Sequence, residues 1–165
     1  MTGTEDGILG VDEEDQQRAV VELLTRAYWM EIETVMNYLA ASMSQDGTRA
    51  VAVRAALARG VEEEVKHTLA LGRRIQELHG VVPDDRALPS DAGYPHTLDR
   101  AADVRALVES VVAAEMGAVR HYSRIMRATA RLDRDTHALA LDILRDEQRH
   151  LRLFEGYLRE LAPRR

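Results

Sequence analysis

The stretch Ile143-Leu144-Arg145-Asp146-Glu147-Gln148-Arg149-His150-Leu151-Arg152-Leu153-Phe154 poses the question that decides the fold. Read at alternating spacings of three and four, it extends to a stripe of Leu139, Ile143, Glu147, His150, Phe154, Leu158 and Leu161. That is the apolar face of an amphipathic helix. Glu147 and His150 stand on it where hydrophobes belong. Working outward, three more stripes repeat the anomaly. One runs Val104, Val108, Val111, Glu115, Ala118, Tyr122, Ile125; another Val53, Leu57, Gly60, Glu64, His67, Leu71, Ile75; the first Val20, Leu24, Ala27, Glu31, Thr34, Tyr38, Ala41. Four stripes therefore bring four core glutamates and two core histidines.

The helical period runs from about residue 12 to 44, 49 to 79, 99 to 131 and 135 to 161. Gln45, Asp46, Gly47 and Thr48 form the first turn, and Leu132, Asp133 and Arg134 the last. Gly80 is a natural helix stop. From Gly80 to Leu98, Pro83, Pro89, Gly93 and Pro95 break any period. Helices of roughly 27 to 33 residues are about 40 to 50 Å long. A connection of about 19 residues reaches roughly 60 Å, enough to cross the bundle. The expected fold is all-α, a four-helix bundle running up, down, down, up with one long crossover. One domain suffices: residues 18–162 form the bundle, and residues 1–17 an acidic arm carrying Glu5, Asp6, Asp12, Glu13, Glu14 and Asp15.

In an antiparallel hairpin, residues equidistant from the turn lie side by side. The midpoint of Glu31 and Glu64 falls in the first turn, and that of Glu115 and Glu147 at Arg131, beside the last. All four carboxylates thus meet at mid-bundle. The halves also repeat each other: Glu31, Tyr38 and Glu64-x-x-His67, then Glu115, Tyr122 and Glu147-x-x-His150. A single Glu-x-x-His is usually a solvated surface pair, but two at matched depth are a pattern. Burying four unpaired carboxylates costs several kcal/mol each, whereas two divalent cations neutralise them. The candidate metal ligands are therefore Glu31, Glu64, His67, Glu115, Glu147 and His150.

The chain has no cysteine, so disulfides and thiolate metal sites are excluded and every ligand is a carboxylate or an imidazole. Such a set suits two iron ions, with manganese as the alternative, better than zinc. Tyr38 and Tyr122 read equally as aromatic core filler or as donors to a ligating glutamate. Glu63 and Asp146 each precede a ligand glutamate and are candidates to orient the histidine of the opposite helix, the plainer reading being an exposed acid. His79, His96, His121 and His137 read as surface or loop residues. Met30, Met36, Met43, Met116 and Met126 read as packing or subunit-contact residues.

Hydrophobic residues make up 45% and charged residues 30%, against 10 glycines and 4 prolines, which favours long helices over a strand-rich fold. A net charge of -6 and the acidic arm repel a phosphate backbone, arguing against nucleic acid as a partner. No basic leader precedes an apolar run, and no run approaches a membrane span of about 18 residues. A cytoplasmic location is expected.

Across nearly all of residues 18–161 the sequence resembles the bacterioferritins and their smaller ferritin-like relatives. Glu31-Ile32-Glu33-Thr34-Val35-Met36-Asn37-Tyr38 resembles the first-helix motif of that family, and Asp146-Glu147-Gln148-Arg149-His150 its fourth-helix motif. The resemblance implies the same six ligands and a ferroxidase: Fe(II) and dioxygen as substrates, iron storage or detoxification as the purpose, and no catalytic residue beyond the ligands. A homo-oligomer, dimer or larger, is expected. Two departures stand out. Val65 occupies the position of the methionine that ligates haem in bacterioferritins, so no haem is expected. The sequence given stops at Arg165, without the short fifth helix of the 24-subunit cages, which sets an expectation against a cage. Two other functions fit the residues: a di-metal oxidase or oxygenase using space left by Ala27, Gly60 and Ala118, and a non-enzymatic metal-binding partner docked through the arm.

Overall fold

The computed structural model describes residues 6–44, 50–84 and 104–162. Four helices account for most of them: α1 (Asp6–Ser44), α2 (Ala50–Glu77), α3 (Val104–Thr129) and α4 (Arg134–Glu160). No described residue is in a strand. The first turn, His96 and most of the expected crossover lie outside the described residues. Helix α1 begins at Asp6, so residues 6–17, grouped on charge as an acidic arm, continue the helix of the bundle.

α1 packs on α2 and α3, and α4 on α3 and α2. Cross-helix contacts fix the directions. Tyr38 meets Glu115 and Tyr122 meets Glu31, so α3 runs opposite to α1. His67 meets Asp146 while Glu63 meets His150, so α4 runs opposite to α2. Gln17 Nε2 donates to Leu78 O and Tyr38 lies on Gly60, so α2 opposes α1 as well. The bundle therefore runs up, down, down, up.

The core is two apolar slabs separated by a polar layer. One slab is built on Leu24, Ala27, Leu71, Ile75, Ile125 and Ile143, with the Tyr122 ring on its inner side. The other is built on Ala41, Val53, Leu57, Val108, Val111 and Phe154, with Tyr38 on its inner side. Each fully buried Leu or Ile contributes about 1.5–3 kcal/mol relative to exposure, so the slabs hold the helices together. Met30 is buried, whereas Met36, Met43 and Met116 are exposed.

Caps fix two helix ends. Asp133 caps α4, its side chain accepting from Thr136 N at 2.9 Å. Arg74 of α2 holds that cap by donating to Asp133 Oδ1 and Thr136 Oγ1, both at 2.8 Å. At the end of α2, His79 N donates to Gln76 O and Gly80 N to Ile75 O, the paired bonds of a Schellman cap. The left-handed residue there is His79, at φ 58, not the glycine that the sequence suggested as the stop. Gly80 serves by its lack of a side chain, because a Cβ would come within 2.7 Å of Val21 Cγ1.

Candidate metal centre

Between the slabs, Glu31, Glu64, His67, Glu115, Glu147 and His150 are all buried. Each comes from the centre of its helix, where the 3.6-residue period carries the apolar stripe through the bundle axis. Their donor atoms form two groups of four, each with atoms within 4.8 Å of one another: Glu31, Glu64, His67 and Glu147, and Glu64, Glu115, Glu147 and His150. Glu64 and Glu147 belong to both. The layer is thus two adjacent sites joined through two carboxylates, one end completed by Glu31 and His67, the other by Glu115 and His150.

The histidine rings are oriented alike. His67 Nδ1 lies 3.2 Å from Glu64 Oε2, 3.3 Å from Glu147 Oε1 and 3.6 Å from Glu31 Oε2. His150 Nδ1 lies 3.2 Å from Glu64 Oε1 and 3.8 Å from Glu115 Oε1. The outer nitrogens are held across the bundle: His67 Nε2 donates to Asp146 Oδ2 at 3.2 Å, and His150 Nε2 to Glu63 Oε2 at 2.5 Å. An outer N–H committed to a carboxylate leaves Nδ1 as the nitrogen able to ligate a metal. Two buried hydroxyls complete the layer, Tyr38 donating to Glu115 and Tyr122 to Glu31. Tyr38 reaches Glu115 because its ring fills the space above Gly60, where a Cβ would sit 2.9 Å from the ring carbons. That space is therefore not open to a substrate.

Burial and mutual repulsion disturb the charges. Burial first, then the neighbouring Glu64, pushes the Glu31 carboxyl up to about 8. Burial and the charges of Glu31 and Glu64 push Glu147 up to about 7. Burial and Glu147 raise Glu115 well above the ordinary range. Glu64 is held well below that range, because hydrogen bonds from His150, His67 and Glu31 outweigh its burial. The carboxylates around His150 overcome its burial and push it up to about 10; those around His67 raise that ring further. The metal-free layer thus neutralises itself with protons.

Glu115 Oε2 is buried without a hydrogen-bond partner, and Glu64 Oε1, Glu147 Oε1 and His150 Nδ1 have only their ion-pair contacts. Buried carboxylates converging with so few hydrogen bonds cost stability unless something binds them. All-oxygen-and-imidazole donors in two groups sharing two carboxylates fit a pair of hard to borderline divalent cations.

The family profile described as ferritin-like domain matches residues 21–163. The chain belongs to the ferritin-like family. Its fold resembles a dodecameric thioferritin, a bacterioferritin-related protein from Bacteroides fragilis, at 25% identity and TM-score 0.81, covering 88% of each chain. It also resembles the bacterioferritin of Desulfovibrio desulfuricans, a protein with a diiron site, at 23% identity and TM-score 0.77, over 90% of this chain and 83% of that one. A ferritin-like, diiron-carboxylate protein from Bacillus anthracis matches at 19% identity and TM-score 0.76, over 87% and 97%. No curated protein matches the sequence.

One residue of this ferritin-like protein lies elsewhere than its sequence context suggests. His121, grouped with the surface histidines, is buried, and its Nε2 donates to Leu23 O at 2.9 Å. It flanks the Tyr122 stripe position and so turns toward α1. His137 donates to Met126 O at 2.9 Å, bracing the α3–α4 turn. Arg149, not singled out in the sequence, bonds both Asp146 and Glu63. Its spacing of three from Asp146 signals the first bond; nothing local signals the second, across 86 residues.

Proposed function

We propose that this ferritin-like protein is a ferroxidase that binds two Fe(II) in the mid-bundle layer and oxidises them with dioxygen, for iron storage or detoxification in the cytoplasm. The observation that carries this reading is the pair of four-residue groups sharing Glu64 and Glu147. Glu31 and His67 would complete one iron position, Glu115 and His150 the other, with iron favoured over manganese by the diiron relatives and no haem assigned. Each bound Fe(II) supplies one electron to dioxygen.

The protein holds geometry and moves protons. Tyr38 and Tyr122 keep their protons, since burial and the adjoining acids raise both hydroxyls well above the usual range. They therefore remain donors that fix the rotamers of Glu115 and Glu31. Glu63 and Asp146 fix the histidine rings from outside. The carboxyls and rings that hold protons in the metal-free layer release them on metal binding. The slabs on either side exclude water, which strengthens attraction between the carboxylates and a cation.

No helix among the described residues is long and apolar enough to cross a membrane. Met36, Leu39 and Met43 on α1 and Val65 and Leu69 on α2 are exposed large hydrophobics, which supports a homo-oligomer.

Oxygen consumption after anaerobic Fe(II) loading tests the activity, at about two irons per chain and at several tens per chain. Sustained consumption with iron kept in solution is expected. A single burst that ends after the first pair would instead identify a fixed-cofactor oxidase.

A further inference from the structure

Arg149 projects from the outer face of α4, its side chain 52% exposed, one residue before His150. Its guanidinium spans two acids on different helices: Nη1 donates to Asp146 Oδ1 at 2.6 Å and Nη2 to Glu63 Oε2 at 2.9 Å. Asp146 offers its other oxygen, Oδ2, to His67 Nε2, and Glu63 Oε2 also takes His150 Nε2. One cation therefore closes two acid–histidine pairs that cross between α2 and α4 in opposite senses.

We infer that Arg149 is a positioning residue for both halves of the metal centre, fixing Asp146 and Glu63 so that His67 and His150 present Nδ1 inward together. This inference rests on the metal-centre reading above. A planar fork reaches two carboxylates at once, which the single ammonium of a lysine does not. Asp146 and Glu63 are each more than a third exposed or nearly so, and without the fork they turn toward water. The rings behind them then lose the acceptors that set their orientation. Both acids lie below the usual carboxylate range: burial opposes this, but the His67 and Arg149 bonds to Asp146, and the His150 and Arg149 bonds to Glu63, outweigh it. Arg149 therefore couples the two positions, although it touches no ligand itself.

The test is an anaerobic Co(II) titration of the full chain, as wild type, Arg149→Gln and Arg149→Lys, followed by ligand-field absorption and by the exchangeable, hyperfine-shifted ring N–H signals of the bound histidines. Wild type is expected to take two Co(II) and show two slowly exchanging N–H signals. Arg149→Gln should keep two ions but weaken their binding by roughly threefold to tenfold, less than the tenfold to hundredfold typical of removing an orienting carboxylate. Both ring signals should then exchange faster. Arg149→Lys should fail to restore both, and it carries the test if the glutamine variant does not fold. A change confined to His150, the chain neighbour, or no change in either signal overturns the inference. Fewer than two Co(II) in the wild type would overturn the metal-centre reading and this inference with it.

Discussion

At the two ends of the bundle the stripe positions hold residues such as Leu24, Ile75, Leu57 and Val108; at its middle the same positions on the same helices hold Glu31, Glu64, Glu115 and Glu147. The ends gain stability from being dry. The middle is equally dry and, without metal, gains none from it: its carboxyls are desolvated and Glu115 Oε2 has no hydrogen-bond partner. The slabs therefore work as a clamp that holds an unfavourable layer in place, and the layer's deficit is what would give a cation its affinity. Stability and function are divided by depth along one stripe.

The largest effect expected from this contrast is at Leu57, fully buried in one slab. Leu57→Ala should cost about 2–5 kcal/mol in urea unfolding under chelator. Glu115→Gln, buried as deeply, should change metal-free stability by less than about 1 kcal/mol while removing one metal position. Equal losses from the two substitutions would break the contrast.

Next in size is the pH dependence of the metal-free protein. Glu31 and Glu147, ordinarily at 4.5, are raised to about 8 and about 7, and His150, ordinarily at 6.5, to about 10. The folded state thus holds protons that the unfolded chain has released, so stability should fall as pH rises from about 4.5 to about 10. Glu64 has the opposite sign, but its contribution is lost only as pH drops below the ordinary carboxylate range. Metal binding needs the deprotonated ligands, so affinity should rise with pH and protons should be released on loading. Thermal melts with and without metal across this range give the two slopes, and parallel slopes would contradict the account.

The smallest effect is at the slab's edge. His79→Gly relieves a left-handed residue and should stabilise by about 0.5–1 kcal/mol, leaving metal binding unchanged.

What could be read from the sequence follows the same division. Helix count and topology were legible because the slabs repeat apolar residues at three-and-four spacing and the turn midpoints set the levels. The polar layer was legible because an acid such as Glu64 on an apolar stripe is costly, and four such exceptions at one level point to one cause. Contacts made off the stripes were not legible. The bond from Arg149 to Glu63 depends on how α2 and α4 are rotated against each other, which no local spacing encodes. The partner of buried His121 is Leu23 O on α1, 98 residues away, which no local spacing signals. The left-handed turn at His79 ran against glycine's preference, since Gly80 was needed one position later to clear Val21.

The central claim is that one layer holds two metals through shared carboxylates, and anaerobic Fe(II) equilibrium binding tests it most directly. Wild type should bind two irons per chain, while Glu64→Ala or Glu147→Ala, each removing a member of both groups, should abolish paired binding with helicity retained. Either variant still holding two irons per chain would contradict the account.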